Sequence, residues 1–250
     1  MRIIGSDYDG TLNHGGFDEA KLSAIDKWRS EGNIFALISG RGKLDIQRLY
    51  NEKQFGCDYL VADNGAVILT TDGRIISEVR CDGRLAKELV IFLFELGCPW
   101  AQIQTEGYMR IYKDESECTE EYNYPLHKMP EIAYFTQIST FLPDVETSRY
   151  VTNEIAKKFK DRLNPLQNGV CIDIVRYDMN KARGLYLLAD IVGAKKEDII
   201  AVGDNINDKD MIAEFRSYVM ANGVEEIKEL ADFITDSVTS LIETELNEVK

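Results

Sequence analysis

Four short stretches carry residue types that can do chemistry together. Asp7-Tyr8-Asp9-Gly10-Thr11 sets two carboxylates two residues apart, ahead of a glycine turn. Carboxylates crowded like this cost energy unless a cation or a proton compensates them; a plain turn with an Asx motif would show the same Asp-x-Asp. Ser39-Gly40-Arg41 offers a hydroxyl and glycine-exposed backbone N–H groups, the makings of a small anion cradle. Strand-to-helix turns are commonly Ser/Gly, so this stretch alone is equally a plain turn. It is not a nucleophile elbow, because Leu37-Ile38-Ser39-Gly40-Arg41 lacks the glycine before the serine. Lys181 supplies an ammonium, or simply a solvated surface charge. Gly203-Asp204-Asn205-Ile206-Asn207-Asp208 adds two carboxylates and two amides, which turn chemistry accounts for less easily.

The elements around these stretches alternate. Arg2 to Ser6 reads as a short buried strand. A helical face with Leu22, Ile25 and Trp28 follows from Asp18 to near Gly32, then a strand from Asn33 to Ile38, a helix carrying Leu44, Ile46 and Leu49, and a strand from Tyr59 to Ala62. Strands joined by helical crossovers imply a parallel sheet covered on both faces. In open sheets of that kind ligands bind at the carboxyl ends of the strands, where three of the four stretches fall, with Lys181 opening a helix.

Val67–Thr70 and Arg74–Ile76 flank Thr71-Asp72-Gly73 as a hairpin. From about Asp82 to Asp178 the pattern becomes a long helix (Leu85 to Leu96), strand-like pieces (Met109 to Tyr112, Ala133 to Phe141, Val170 to Val175) and a helix from Asp144. All five prolines lie here. After Asn180 the alternation resumes: a helix through Leu185 and Leu188, a strand Ile199 to Val202, a helix from Asp208, a strand Tyr218 to Met220 and a closing helix from Val224. The expected fold is α/β: a Rossmann-like, doubly wound parallel-sheet core (residues 1–81 and 179–250) with an inserted α+β cap (residues 82–178).

The 250 residues are 44% apolar and 29% charged, with 29 Lys+Arg against 43 Asp+Glu, a net charge of −14. Such a chain buries a proper core. The acidic balance argues against nucleic acid or an anionic membrane as partner, since both need basic patches. It leaves room for an anionic small molecule, because a metal ion and one lysine can reverse the local field. The longest apolar stretch, Leu89 to Phe94, is about a third of the ~20 residues of a membrane span. The five cysteines lie far apart with no Cys-x-x-Cys, as in a reduced protein. With no signal-peptide pattern at the start, a cytoplasmic location is expected.

Taken in order, Asp-x-Asp-x-Thr, Ser, Lys and Gly-Asp-x-x-Asn-Asp resemble the motifs of the haloacid dehalogenase (HAD) superfamily of phosphoryl-transfer enzymes. Ser39-Gly40-Arg41, Ala62-Asp63-Asn64-Gly65-Ala66 and the insert between the Ser and Lys motifs are similar to the Cof-type branch, mostly sugar-phosphate phosphatases. Two departures stand out: Lys181-Ala182-Arg183-Gly184-Leu185 replaces the usual Lys-Gly, and Ser6 and Tyr8 replace apolar neighbours of Asp7.

The resemblance implies a phosphatase for a small phosphate monoester. Asp7 would be the nucleophile that forms an aspartyl-phosphate, and Asp9 the acid and then base, kept protonated by neighbouring carboxylates. It implies Mg²⁺ on the Asp7 carboxylate, the Asp9 backbone carbonyl and Asp204, with Asp208 in support. Ser39, Gly40, Lys181, Asn207, the Tyr8 N–H and Thr11 would hold phosphate oxygens, Thr11 also bracing the Asp9 loop. The charge count agrees, because Asp7, Asp204, Asp208 and a phosphate dianion are all negative. Each like-charge pair costs about 4 kcal/mol at ~4 Å and an effective dielectric of ~20. Mg²⁺ and Lys181 offset this, and oxygen ligands favour that ion.

Two other readings share these residues: a phosphomutase of the same superfamily, and a phospho-Asp signalling module. Asp9 and the roughly 95-residue insert argue against the signalling module, a single domain of ordinary size. Arg41 touches a substrate group or forms an ion pair near the first motif. The insert's Tyr108, Tyr112, Tyr122, Tyr124, Tyr134 and Tyr150 stack on a sugar or pack between layers. His14 reads as a loop histidine.

Overall fold

The computed structural model describes residues 1–248. The chain divides into two units, Met1–Ser77 with Asn180–Lys250, and Glu78–Met179. It runs through β1 (Ile3–Asp7), α1 (Glu19–Ser30), β2 (Ile34–Ile38), α2 (Lys43–Lys53), β3 (Tyr59–Ala62), β4 (Val67–Thr70) and β5 (Ile75–Glu78). The second unit holds β6 (Cys81–Asp82), α3 (Arg84–Glu95), β7 (Trp100–Gln104), β8 (Tyr108–Tyr112), β9 (Asn123–Pro125), β10 (Tyr134–Phe135), β11 (Gln137–Phe141), α4 (Val145–Lys158), β12 (Leu163–Asn168) and β13 (Cys171–Arg176). The first unit then resumes with α5 (Lys181–Val192), β14 (Ile199–Gly203), α6 (Lys209–Glu214), β15 (Arg216–Met220), α7 (Glu225–Lys228), β16 (Phe233–Thr235) and α8 (Val238–Glu248).

Among the described residues the first unit forms an eight-stranded sheet in the order β16-β15-β14-β1-β2-β3-β4-β5. From β16 to β3 the pairing is parallel, and β4 turns back antiparallel on β3. The sequence explains the two-faced burial. Ile4, Phe35, Leu37 and Val202 pack against Ile25 and Trp28 of α1, Ile46 of α2 and Leu241 and Ile242 of α8. Their strand neighbours Ile3, Ala36, Ile38 and Ala201 meet Leu185 and Leu188 of α5 and Met211 of α6 on the other face. Each such Leu, Ile, Val, Met or Phe side chain contributes roughly 1.5–3 kcal/mol when taken from water. Helices α1 and α5 start at side-chain caps: Asp18 accepts from the Lys21 N–H at 2.8 Å, and Asn180 from the Arg183 N–H at 2.8 Å.

The parallel order puts the carboxyl ends of β1, β2 and β14 side by side. Asp7 lies opposite Ile38, the residue before Ser39, and Ser6 opposite Val202, two residues before Asp204. The chain order reverses between β2 and β14, on either side of β1, which is where such sheets open a crevice.

The second unit has its own sheet, β12-β13-β11-β7-β8-β9, and a two-stranded pair of β6 with β10. Ala101, Ile103, Ile111, Ile138, Ile172 and Ile174 pack with Leu89 and Leu93 of α3 and Val151 and Ile155 of α4.

Three expectations need correction. The helix from Val224 is only the short α7, because Phe233-Ile234-Thr235 pairs with β15 as a strand and Ser237 Oγ, accepting from the Ser240 N–H at 3.0 Å, starts a new helix. The piece from Ala133 to Phe141 divides between two sheets as β10 and β11. The strands β7 and β12 have no counterpart in the sequence reading, and β12 carries Pro165, which an edge strand tolerates.

Candidate active site

Asp7 ends β1 and is 6% exposed. Its Oδ1 accepts from Lys181 Nζ at 2.6 Å, and the same ammonium donates to Asp208 Oδ1 at 2.5 Å. Lys181 reaches them because the Asn180 cap fixes the first turn of α5, and its side chain is fully buried. Asp208 Oδ2 accepts from the N–H groups of Asp204 and Asn205 at 3.0 and 3.1 Å, so both its oxygens are engaged. Thr11 Oγ1 donates to Asp204 Oδ1 at 2.6 Å. One carboxylate oxygen each from Asp7, Asp204 and Asp208 lies within 4.8 Å of the others.

Three carboxylates face one ammonium here, and the proton affinities of Asp7 and Asp204 record it. Burial pushes the Asp7 carboxyl up to about 8, against the pull of Lys181 and with the push of Asp208 and Asp204. Burial also raises Asp204, opposed by its bond from Thr11. Burial alone would lower the Lys181 ammonium, but Asp208 and Asp7 more than reverse this, and the group stays charged. The site therefore suits further positive charge, and its free donors are carboxylate oxygens.

Gly10 decides the path of the first motif. Its φ is +83°, and a Cβ there would collide with the Asp204 carboxylate. The Gly10 N–H donates to Asn13 Oδ1 at 2.8 Å, and Asn222 Nδ2 donates to the Gly10 carbonyl at 3.0 Å. Asp9 is set apart from the cluster: its side chain is half exposed, and both its oxygens accept from Arg41, at 2.9 Å from Nε and 2.8 Å from Nη2. The group bonded to the Asp9 side chain is thus a guanidinium, and the Asp204 carboxylate is near enough to feel the Asp9 charge. The Asp9–Arg41 contact is also the ion pair that Arg41 left open. The Tyr8 ring, stacked on Phe17 and near Phe55, belongs to the core.

Ser39 is buried after β2, its Oγ accepting from the Arg41 N–H at 3.2 Å, and Gly40 follows it. Asn207 is buried on the single helical turn Ile206–Asp208, next to Asp208. Thr11 is buried, and its bond to Asp204 ties the first motif to the turn that follows β14. His14 is exposed, and the five cysteines are free.

Sequence reasoning missed the brace behind the Ser39 turn. Asp63 and Asn64 both have φ of +51°, and their N–H groups donate to the Arg41 and Ser39 carbonyls at 3.0 Å each. Gly65 then lies against Gly184 of α5, where a Cβ on Gly184 would come within 2.5 Å of the Gly65 Cα. The departure Lys181-Ala182-Arg183-Gly184 thus keeps a glycine where α5 touches this turn. Lys21 and Asn13 were also missed; the signal was their place just after the first motif.

A family profile described as haloacid dehalogenase-like hydrolase matches residues 4–240. The 5-amino-6-(5-phospho-D-ribitylamino)uracil phosphatase YwtE of Bacillus subtilis is 24% identical, over 95% of this chain and 93% of its own. The HMP-PP phosphatase of Yersinia enterocolitica is 26% identical, over 91% and 86%. The solved structure of SMU.1108c from Streptococcus mutans superposes with a TM-score of 0.83 at 20% identity, over 99% of each chain. With the profile running through nearly its whole length, the chain belongs to the haloacid dehalogenase-like hydrolases, in their Cof-type phosphatase branch.

Proposed function

We propose that this protein is a Mg²⁺-dependent phosphatase that hydrolyses a small phosphate monoester, a sugar phosphate, through a phosphoryl group carried on Asp7. The observation that carries the reading is the buried Asp7 carboxylate held by Lys181, with Asp204 and Asp208 close by. The ribitylamino phosphate in the name of YwtE supports a phosphate on a polyol chain as the substrate class.

Mg²⁺ fits the donor set: buried and half-buried carboxylate oxygens, three acids against one ammonium, and no nitrogen or sulfur ligand among the three. Asp7, Asp204 and the Asp9 backbone carbonyl would hold it. When bound it neutralises phosphate charge and orients the ester. Asp208, with both oxygens engaged, positions Lys181 and the Asp204 turn instead of binding the ion.

In this reading one Asp7 oxygen attacks phosphorus in line, opposite the leaving oxygen. Lys181 steers Asp7 and offsets charge on the transferring group. Ser39, Asn207 and the N–H groups of Tyr8 and Gly40 hold the phosphoryl oxygens. Asp9 gives its proton to the departing alcohol and then takes one from the water that cleaves the aspartyl-phosphate. Both Asp9 oxygens accept from Arg41, so this role requires that pair to open. The free cysteines support a cytoplasmic location.

The test is release of phosphate from a panel of sugar phosphates with Mg²⁺. Asp7→Asn should lose activity by at least about 10³-fold while keeping its circular dichroism spectrum and a cooperative thermal transition. Retention of more than a few per cent of activity would refute the nucleophile.

A further inference from the structure

Lys21 lies on the first turn of α1, 5% exposed, and none of its side-chain bonds goes to a carboxylate. Its Nζ donates to three backbone carbonyls, Leu12 at 2.7 Å, His14 at 2.8 Å and Gly16 at 2.7 Å. An ammonium has three donors, and all three are used on the loop that leaves the first motif. The Phe17 ring lies 5.3 Å from Nζ. Burial holds this ammonium below its ordinary proton affinity, opposed by Asp18. Burying a lysine this way is a costly means of closing a short loop, so what the loop holds matters.

The carbonyls at 12 and 14 flank Asn13, which in turn touches the motif at three points. Its N–H donates to the Tyr8 carbonyl at 3.0 Å, its Oδ1 accepts from the Gly10 N–H at 2.8 Å, and its Nδ2 lies 3.5 Å from Asp9 Oδ1. Gly15 and Gly16, at φ of +73° and +81°, give the loop no stiffness of its own. The ammonium is what fixes it.

We infer that Lys21 is a positioning residue: through the Leu12, His14 and Gly16 carbonyls it fixes Asn13, and Asn13 aims the Asp9 carboxyl at the leaving oxygen. This rests on the proposed acid role of Asp9. Proton transfer to the leaving group matters for a poor leaving group and hardly at all for one that departs readily as an anion. General loosening of the fold would slow both alike.

The experiment compares phenyl phosphate with p-nitrophenyl phosphate in Mg²⁺ for wild type, Lys21→Met, Lys21→Arg, Asn13→Ala and Asp9→Asn. Lys21→Met is expected to lose kcat/KM, which reports departure of the leaving group and not the later hydrolysis of the aspartyl-phosphate, at least ten-fold more on phenyl phosphate than on p-nitrophenyl phosphate. Lys21→Arg should fall between. Asn13→Ala leaves the ammonium and its three carbonyls in place and should show the same selective loss, which keeps the inference testable if Lys21→Met does not fold. Equal losses on both esters in Lys21→Met and Asn13→Ala, beside a selective loss in Asp9→Asn, overturn the inference and leave the Asp9 reading standing. Equal losses in Asp9→Asn as well overturn both.

Discussion

At the scale of single residues, the site is a problem of charge. Asp7, Asp204 and Asp208 share the Lys181 ammonium, and the Asp7 carboxyl is pushed up to about 8 by burial and its acidic neighbours. Without metal, the folded protein therefore keeps a proton on Asp7 that the unfolded chain releases near pH 4. Stability from a carboxyl raised in this way is present at low pH and is lost as pH climbs toward the folded value. Asp204 is raised in the same direction, while Lys181, raised above its ordinary value, contributes evenly below about pH 10. The thermal midpoint of metal-free protein should fall between about pH 5 and about pH 8. Mg²⁺ or Asp7→Asn should flatten that slope, and a slope that neither changes would remove the charge account. Thr11→Val removes the hydroxyl that holds Asp204 Oδ1. Titration calorimetry should show Mg²⁺ affinity about ten-fold weaker, since partners that orient a ligand carboxylate typically matter by 10–100-fold.

At the scale of elements, the site depends on three parallel strands ending together and on α5 lying close to the Asp63–Gly65 turn. Gly184→Ala places a methyl against the Gly65 backbone, which cannot rotate away. It should cost about 1–3 kcal/mol in urea unfolding and lower kcat by displacing Lys181, whereas a neutral result would show that α5 can shift. The buried runs Ile3–Asp7, Ile34–Ile38 and Ile199–Gly203 were legible because strands covered on both faces read as continuous apolar stretches. The chemistry was legible at their ends for the same reason, since parallel strands leave the polar residues at one edge. What escaped was local. Phe233–Thr235 is a three-residue edge strand with two exposed side chains, too short for a period to show. The choice of Asp9 as the partner of Arg41, which the sequence left open between an ion pair and a substrate contact, and the grip of Lys21 follow from the path of a loop turned by Gly10, which spacing along the chain does not encode.

At the scale of the whole molecule, each unit packs on its own apolar residues, the first on both faces of its sheet. The unit of Met1–Ser77 and Asn180–Lys250 carries every residue of the candidate site, and Glu78–Met179 has its own sheet, helices and core. A chain with a net charge of −14 that handles an anionic ester needs its positive charge concentrated where the ester reacts. The proposed reaction requires that Asp7 become covalently phosphorylated. The most direct measurement mixes the protein and Mg²⁺ with an ester labelled in its phosphoryl group, quenches in acid within milliseconds and maps the label by peptide mass spectrometry. Label should appear on the peptide carrying Asp7, accumulate in Asp9→Asn and be absent from Asp7→Asn. Turnover without label at Asp7, or label on another residue, would contradict it.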